Sequence, residues 1–201
     1  MKTVNCHRFG GSNPSLSAEK PSSKDEGFLR FTVSYFCFLF AILNMKISLL
    51  CIGKTDDKFI QEGIDKYLKR LKHYVSFTIG ILPDVKNVKS MSEAQQMDKE
   101  GELFFKNLNN TDYVVLLDEK GKEFRSIEFS EYLEQKMVGS VQHVVFLIGG
   151  PYGFAPKVKE RSNASMSLSK LTFSHQMVRL FFVEQVYRAF SIMKGEPYHH
   201  E

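Results

Sequence analysis

Near the end of the chain, His175 and Arg179 stand four residues apart, and so do Glu184 and Arg188. On a helix each pair shares one face. Histidine titrates near neutral pH, so His175 and the later His199 are groups that could take a proton. Arg179 carries a fixed charge and a fork of donors, suited to steadying an anion or gripping a phosphate. Plainer readings stand beside these. Glu184–Arg188 reads equally as a surface ion pair of small worth. His175 reads as an ordinary residue at a helix start, and Pro197-Tyr198-His199-His200-Glu201 as a disordered end. The adjacent His199 and His200 read as solvated rather than metal-binding.

Three segments with chemical potential follow or end short apolar runs. Leu117-Asp118-Glu119-Lys120-Gly121 follows YVVLL, and Gly149-Gly150-Pro151-Tyr152-Gly153 follows HVVFLI. Glycines there let backbone approach a ligand closely, though a plain tight turn explains them too. The pattern is not the dinucleotide fingerprint, and no phosphate-binding P-loop occurs. The third segment, Leu168-Ser169-Lys170-Leu171-Thr172-Phe173, has apolar and hydroxyl side chains without Gly or Pro. Its peptide groups could meet the edge of an adenine, with Leu and Phe walling the ring. An edge strand with a capping serine is the simpler alternative.

The elements that must hold these segments alternate. Lys46–Ile52 (KISLLCI) predicts a strand ended by Gly53. Asp56 or Asp57 can cap a helix carrying Ile60, Ile64, Tyr67, Leu68 and Leu71 at helical spacing. Its late bases Lys66, Lys69, Arg70 and Lys72 suit a solvated helix end, or alternatively an RNA-facing one. Val75–Leu82 predicts a second strand. A helix near Ser92–Leu108 follows, with Glu93, Asp98, Lys99, Glu100 and Glu102 toward water. Tyr113–Leu117 and His143–Ile148 are nearly all apolar, as for strands covered on both faces. Between them Ser126 caps a helix to about Val138. A fifth strand falls near Met166–Leu168. A last helix runs from Ser174, its N-cap, to Lys194, with Gly195 as the stop and Met177, Leu180, Val183, Tyr187 and Phe190 as a core stripe. Strands separated by helices predict an α/β fold with a mostly parallel sheet flanked by helices. Ligands of such sheets bind beyond the carboxyl ends of the strands.

Composition sets limits on function. The net charge is +4, with five basic and three acidic groups among the first 44 residues. The remainder is close to neutral, so binding of nucleic acid by bulk electrostatics is excluded and any such contact must be local. Cys6, Cys37 and Cys51 show no CxxC and no zinc spacing, which predicts a reducing compartment and no structural metal.

Residues 1–30 are rich in Ser, Gly, Lys and Pro and predict disorder. Phe31–Leu43 is an apolar run of 13 residues, shorter than the roughly 20 a spanning helix needs, and no A-x-A cleavage site follows it. A membrane anchor there is the less favoured option. Met45 has the look of a natural start, so 1–44 is expected to be an extension outside the native protein, with 45–201 as the domain.

Val144–Phe154 (VVFLIGGPYGF) and Ser167–Glu201 (SLSKLTFSHQMVRLFFVEQVYRAFSIMKGEPYHHE), in this order, resemble the ribosomal large subunit methyltransferase H family of the SPOUT superfamily. The resemblance covers essentially all of Met45–Glu201. It implies a C-terminal trefoil knot, a homodimer, a cytoplasmic location without a membrane, and S-adenosyl-L-methionine as cofactor. It implies methylation of N3 of a pseudouridine in 23S rRNA within the assembled 70S ribosome. Cofactor contacts are implied at Leu117, Gly149, Leu168, Ser169, Lys170, Leu171, Thr172 and Phe173. For that reaction Arg179 would steady the pseudouridine anion, His175 or His199 would accept the imide proton, and Tyr198 would stack on a base. A non-catalytic ribosome-binding factor of the same fold is the alternative.

Overall fold

The computed structural model describes residues 45–199. The expectations for 1–44, His200 and Glu201 fall outside the described residues.

Five strands form one sheet: β1 (Lys46–Ile52), β2 (Ser76–Leu82), β3 (Tyr113–Glu123), β4 (His143–Ile148) and β5 (Ala164–Ser167). Their order is β2-β1-β4-β3-β5, and every pairing is parallel. Five α-helices connect and follow them: α1 (Lys58–Leu71), α2 (Glu93–Lys106), α3 (Ser126–Val138), α4 (Pro156–Arg161) and α5 (Met177–Met193). A parallel sheet must be covered on both faces, and it is. Side chains of one parity, including Ile47, Leu49, Val144 and Phe146, pack with Phe129, Leu133, Phe182, Val186 and Phe190 into the larger core. There α5 packs against both α1 and α3. The other parity, Leu50, Val114, Leu116, Val145 and Leu147, meets Phe104, Phe154, Ala155 and Val158 from α2 and the α4 region.

The predicted architecture stands, with local differences. Strand β3 runs past Leu117 because its far end also pairs with β5. Leu117 and Lys122 both oppose Met166, and the residues between them bulge out. Gly121 lies so close that a Cβ there would be 2.5 Å from the Met166 backbone. Strand β5 begins at Ala164, two residues before the predicted start. Helix α4 was not predicted; it is one short turn-and-a-half with proline at its start.

Caps explain several boundaries. Ser92 Oγ accepts from Gln95 N, and Gln95 Oε1 accepts from Ser92 N, a reciprocal capping box. Asp57 holds the N-cap position of α1, yet its side chain makes no cap bond. Instead the amides of Asp56 and Asp57 both donate to Gln176 Oε1 at 3.1 Å. The start of α1 is thereby tied to the start of α5. Helix α3 is preceded by Arg125 rather than capped by Ser126; the Arg125 amide donates to Glu128. The final helix begins later than predicted, with Gln176 rather than Ser174 in the N-cap position; Ser174 still takes Met177 N on its hydroxyl and Val178 N on its carbonyl. Gly195 stops it with φ +65°.

At the amino edge of the sheet a polar chain crosses three strands. Asp112 Oδ1 meets His143 Nδ1, His143 Nε2 meets Ser48 Oγ, and Ser48 Oγ meets Thr78 Oγ1, each at 2.8 Å. On the same edge α3 leaves Val138 67% exposed and turns through Gly139 and Ser140, the latter at φ +60°. No described helix is long and apolar enough to cross a membrane. Among the described residues no group of three or more His, Cys, Asp or Glu is placed to hold a metal.

Candidate active site

The register sets three predicted segments side by side. Leu117 on β3 is level with Ile148 of β4 on one side and Met166 of β5 on the other. Gly149 therefore leaves the sheet on one flank of Leu117, and Leu168 on the other. The residues predicted to hold a cofactor converge on this carboxyl edge, where parallel sheets bind ligands.

The glycine segment is a tight turn that makes a backbone shelf after β4. Gly150 and Gly153 form an isolated bridge, with Gly153 N donating to Gly150 O at 3.0 Å. Gly153 sits at φ +83°, a conformation that side chains resist. A Cβ on Gly149 would lie 2.8 Å from Gly153 O. One on Gly150 would fall 2.3 Å from both carboxylate oxygens of Glu100.

That contact corrects one expectation. Glu100 does not face water; it is only 2% exposed. Gln96 Nε2 donates to its Oε1 at 2.8 Å, while Oε2 has no partner. A signal existed in the sequence: Glu100 stands one turn before the fully buried Phe104, on the same helical row.

The opposite wall is the segment after β5. Ser167 Oγ donates to Ser169 O, and Leu171 N donates to Ser169 Oγ. These bonds fold the loop on itself. The peptide groups of Lys170, Thr172 and Phe173 make no hydrogen bond among the described residues. Leu168 packs on the larger core. Leu171 is 74% exposed, and the Phe173 ring leans on Phe181 with centroids 5.0 Å apart. Free peptide edges beside apolar side chains suit a flat heteroaromatic ring. Together with the glycine shelf and the orphaned Glu100 oxygen, they fit a ligand with an adenine at one end and positive charge at the other.

The predicted catalytic residues fall into two groups. Arg179 is buried at the start of α5, donating to Ile52 O at 2.7 Å and to Thr55 Oγ1 at 2.8 Å; its Nε has no partner. It anchors the carboxyl end of β1. His175 is exposed and lies in the turn before α5, so it does not share a helical face with Arg179 as predicted. Tyr198 and His199 lie toward the other end of α5. The Tyr198 hydroxyl donates to Glu184 Oε1 at 3.1 Å and meets Tyr67 Oη at 3.2 Å. Arg188 binds the same Glu184 oxygen through Nη2 at 2.6 Å and lies over the Tyr198 ring. His199 Nδ1 is 3.5 Å from Arg188 Nη1. Nine helical steps separate Arg179 from Arg188, about 14 Å along the axis. One chain does not bring the two groups together.

Two further expectations change here. Glu184–Arg188 is not a surface pair: the side chains are 13% and 26% exposed, and the pair is the foundation of the tail cluster. Residues 196–199 are not a loose end either, since Tyr74 donates to Glu196 while Tyr198 packs edge-on against Tyr187. Burial, the Tyr67 hydroxyl and the Glu184 charge all hold the Tyr198 phenol well above its ordinary pKa. Tyr198 therefore stays a neutral hydroxyl donor, its ring packed between Arg188 and Tyr187. Among the late bases of α1, Arg70 lies over the Tyr67 and Tyr187 rings, while Lys66 and Lys69 stay exposed.

Fold and site together define a parallel α/β domain whose carboxyl edge is bordered by a glycine shelf and a peptide-rich loop. Residues 45–199 match the family described as "Predicted SPOUT methyltransferase". The chain is 57% identical over 157 residues to the ribosomal RNA large subunit methyltransferase H of Parabacteroides distasonis, covering 78% of this chain and 100% of the relative. It is 55% identical over 157 residues to the protein of that name in Flavobacterium johnsoniae, with the same coverage. The chain belongs to the SPOUT methyltransferase family.

Proposed function

We propose that this chain is an S-adenosyl-L-methionine-dependent methyltransferase of 23S rRNA that modifies N3 of a pseudouridine in the assembled ribosome. The observation that supports this most is the junction of Leu117, Gly149 and Leu168–Phe173 in a chain of a methyltransferase family. The names of the relatives point to the large-subunit RNA as substrate. The near-neutral domain fits a partner recognised locally rather than by bulk charge.

When bound, the cofactor supplies a methyl group activated on a sulfonium. The peptide edges of Lys170, Thr172 and Phe173, with Ser169, Leu168 and Leu171, would hold its adenine, with Leu117 between that loop and Gly149 on the far side. The acceptor nitrogen carries an imide proton that must leave. His175 is the exposed acceptor nearest the loop in sequence, and His199 is the acceptor on the tail. Arg179 keeps a permanent charge behind the head of α5 and stabilises the anion electrostatically. Tyr198, as a neutral phenol, stacks on or donates to a base.

A homodimer completes this scheme, because it can bring the tail of one copy to the loop of another across the gap that one chain leaves. The protein acts in the cytoplasm, the trefoil threading belongs to the C-terminal segment, and 45–201 is the working domain. Incubation with cofactor and either 70S ribosomes or free rRNA, followed by mass spectrometry of nucleosides, tests the proposal. N3-methylpseudouridine in ribosomes is expected. Failure to bind S-adenosylmethionine in calorimetry would instead support a non-catalytic ribosome-binding factor.

A further inference from the structure

We propose that Glu100 is the counter-charge for the cationic methyl donor, set beneath the glycine shelf; the inference rests on the cofactor reading above. Three observations carry it. First, the carboxylate is buried with one oxygen satisfied by Gln96 and the other by nothing. Removing a charged group from water is costly unless something returns the lost interactions. Among the described residues no Lys, Arg or His forms an ion pair with it. Second, the orphan lies at the site. Both oxygens lie against Gly150, where a Cβ would be 2.3 Å away, so a larger residue there would push the carboxylate out of its place under the shelf. Third, the charges match. S-Adenosylmethionine carries a positive sulfonium and a positive ammonium, and the chain offers this unpaired acid beside the shelf.

The same logic separates donor from product. Methyl transfer breaks the carbon–sulfur bond and leaves the electron pair on sulfur, so the sulfonium becomes a neutral thioether. A fixed negative charge then holds S-adenosylhomocysteine less firmly than the donor and favours its departure. Glu100 acts here as a binding and discriminating residue, not on the reacting atoms.

Calorimetry on the full chain with three ligands tests this. Glu100→Gln keeps the shape and loses the charge. It should weaken S-adenosylmethionine about tenfold more than S-adenosylhomocysteine. Sinefungin, which has an amine in place of the sulfonium, should follow the donor. Equal losses for charged and neutral ligands would mean that Glu100 merely supports the shelf, and would overturn the inference alone. Unchanged donor affinity would do the same. A wild-type chain that binds none of the three overturns the cofactor reading as well. Glu100→Asp keeps the charge, so its donor-to-product ratio should stay within about threefold of wild type; a ratio shifted as far as in the glutamine variant also sinks the idea.

Discussion

Arg179 and Cys51 show how burial fixes what a side chain does. Two of the three guanidinium nitrogens of Arg179 are committed to Ile52 and Thr55. Arg179→Ala would leave the part-buried Ile52 carbonyl without its donor, and destabilisation of about 1–3 kcal/mol is expected. Turnover should fall strongly while cofactor affinity changes little; Arg179→Lys separates the two effects by keeping the charge. Unchanged turnover in both variants would remove Arg179 from the reaction. The Cys51 thiol, 0% exposed, is pushed from an ordinary 9.0 up to about 12 by burial, against the opposing pull of Arg179. The folded chain keeps this proton where the unfolded chain loses it. Its stabilising contribution is thus complete below pH 9 and is lost as pH rises toward 12, at up to about 1.4 kcal/mol per pH unit. Peptide mapping after alkylation at pH 8 should find Cys51 unmodified in folded protein and modified after denaturation. The candidate residues were legible in the sequence as types and spacings. Their partners were not, because Ile52, Thr55, Tyr67 and Glu184 reach Arg179 and Tyr198 only through the folded path of the chain.

At the scale of elements, caps and rows are where local chemistry becomes position. Ser92→Ala removes one half of the α2 capping box and should lower stability by about 1 kcal/mol, read from the midpoint of chemical denaturation. Since α2 carries Glu100 to the shelf, a fraying α2 should also weaken cofactor binding. Glu184→Gln leaves Arg188 without its anion and loosens Tyr198. Turnover is expected to fall more than about tenfold (~1.4 kcal/mol) with cofactor affinity nearly unchanged. Limited proteolysis should then cut the tail sooner than in the wild type; an equally protected tail would show that Glu184 does not hold it. The apolar strands β3 and β4 were plain in the sequence because they are covered on both faces. Helix α4 and the start of β5 were not, because six residues give too little periodicity and β5 is defined by its pairing with β3. Glu100 was misassigned because a charged residue on an amphipathic helix normally points outward.

For the whole molecule, alternation of strands and helices was enough to predict the parallel sheet, and with it the carboxyl edge at which cofactor binding is proposed. The strand order was not legible, since it depends on which crossover passes over which face. The sequence resemblance, rather than periodicity, supplied the family. It also underlies the proposal that 45–201 is the working domain. A chain beginning at Met45 should match the full-length protein in melting temperature and in cofactor affinity. A large loss of either would make residues 1–44 part of the working protein.

The turn at Val138–Ser140 lies on the edge opposite the site. Its residues are exposed, and Ser140 already adopts a backbone suited to glycine or asparagine. This makes it a place for a handle: a dye, a biotin or a surface linker attached there leaves the whole carboxyl edge free. Tags appended after Glu201 lack that advantage, because they begin two residues from His199. Single-molecule or surface-binding work on ribosomes is best anchored through Ser140.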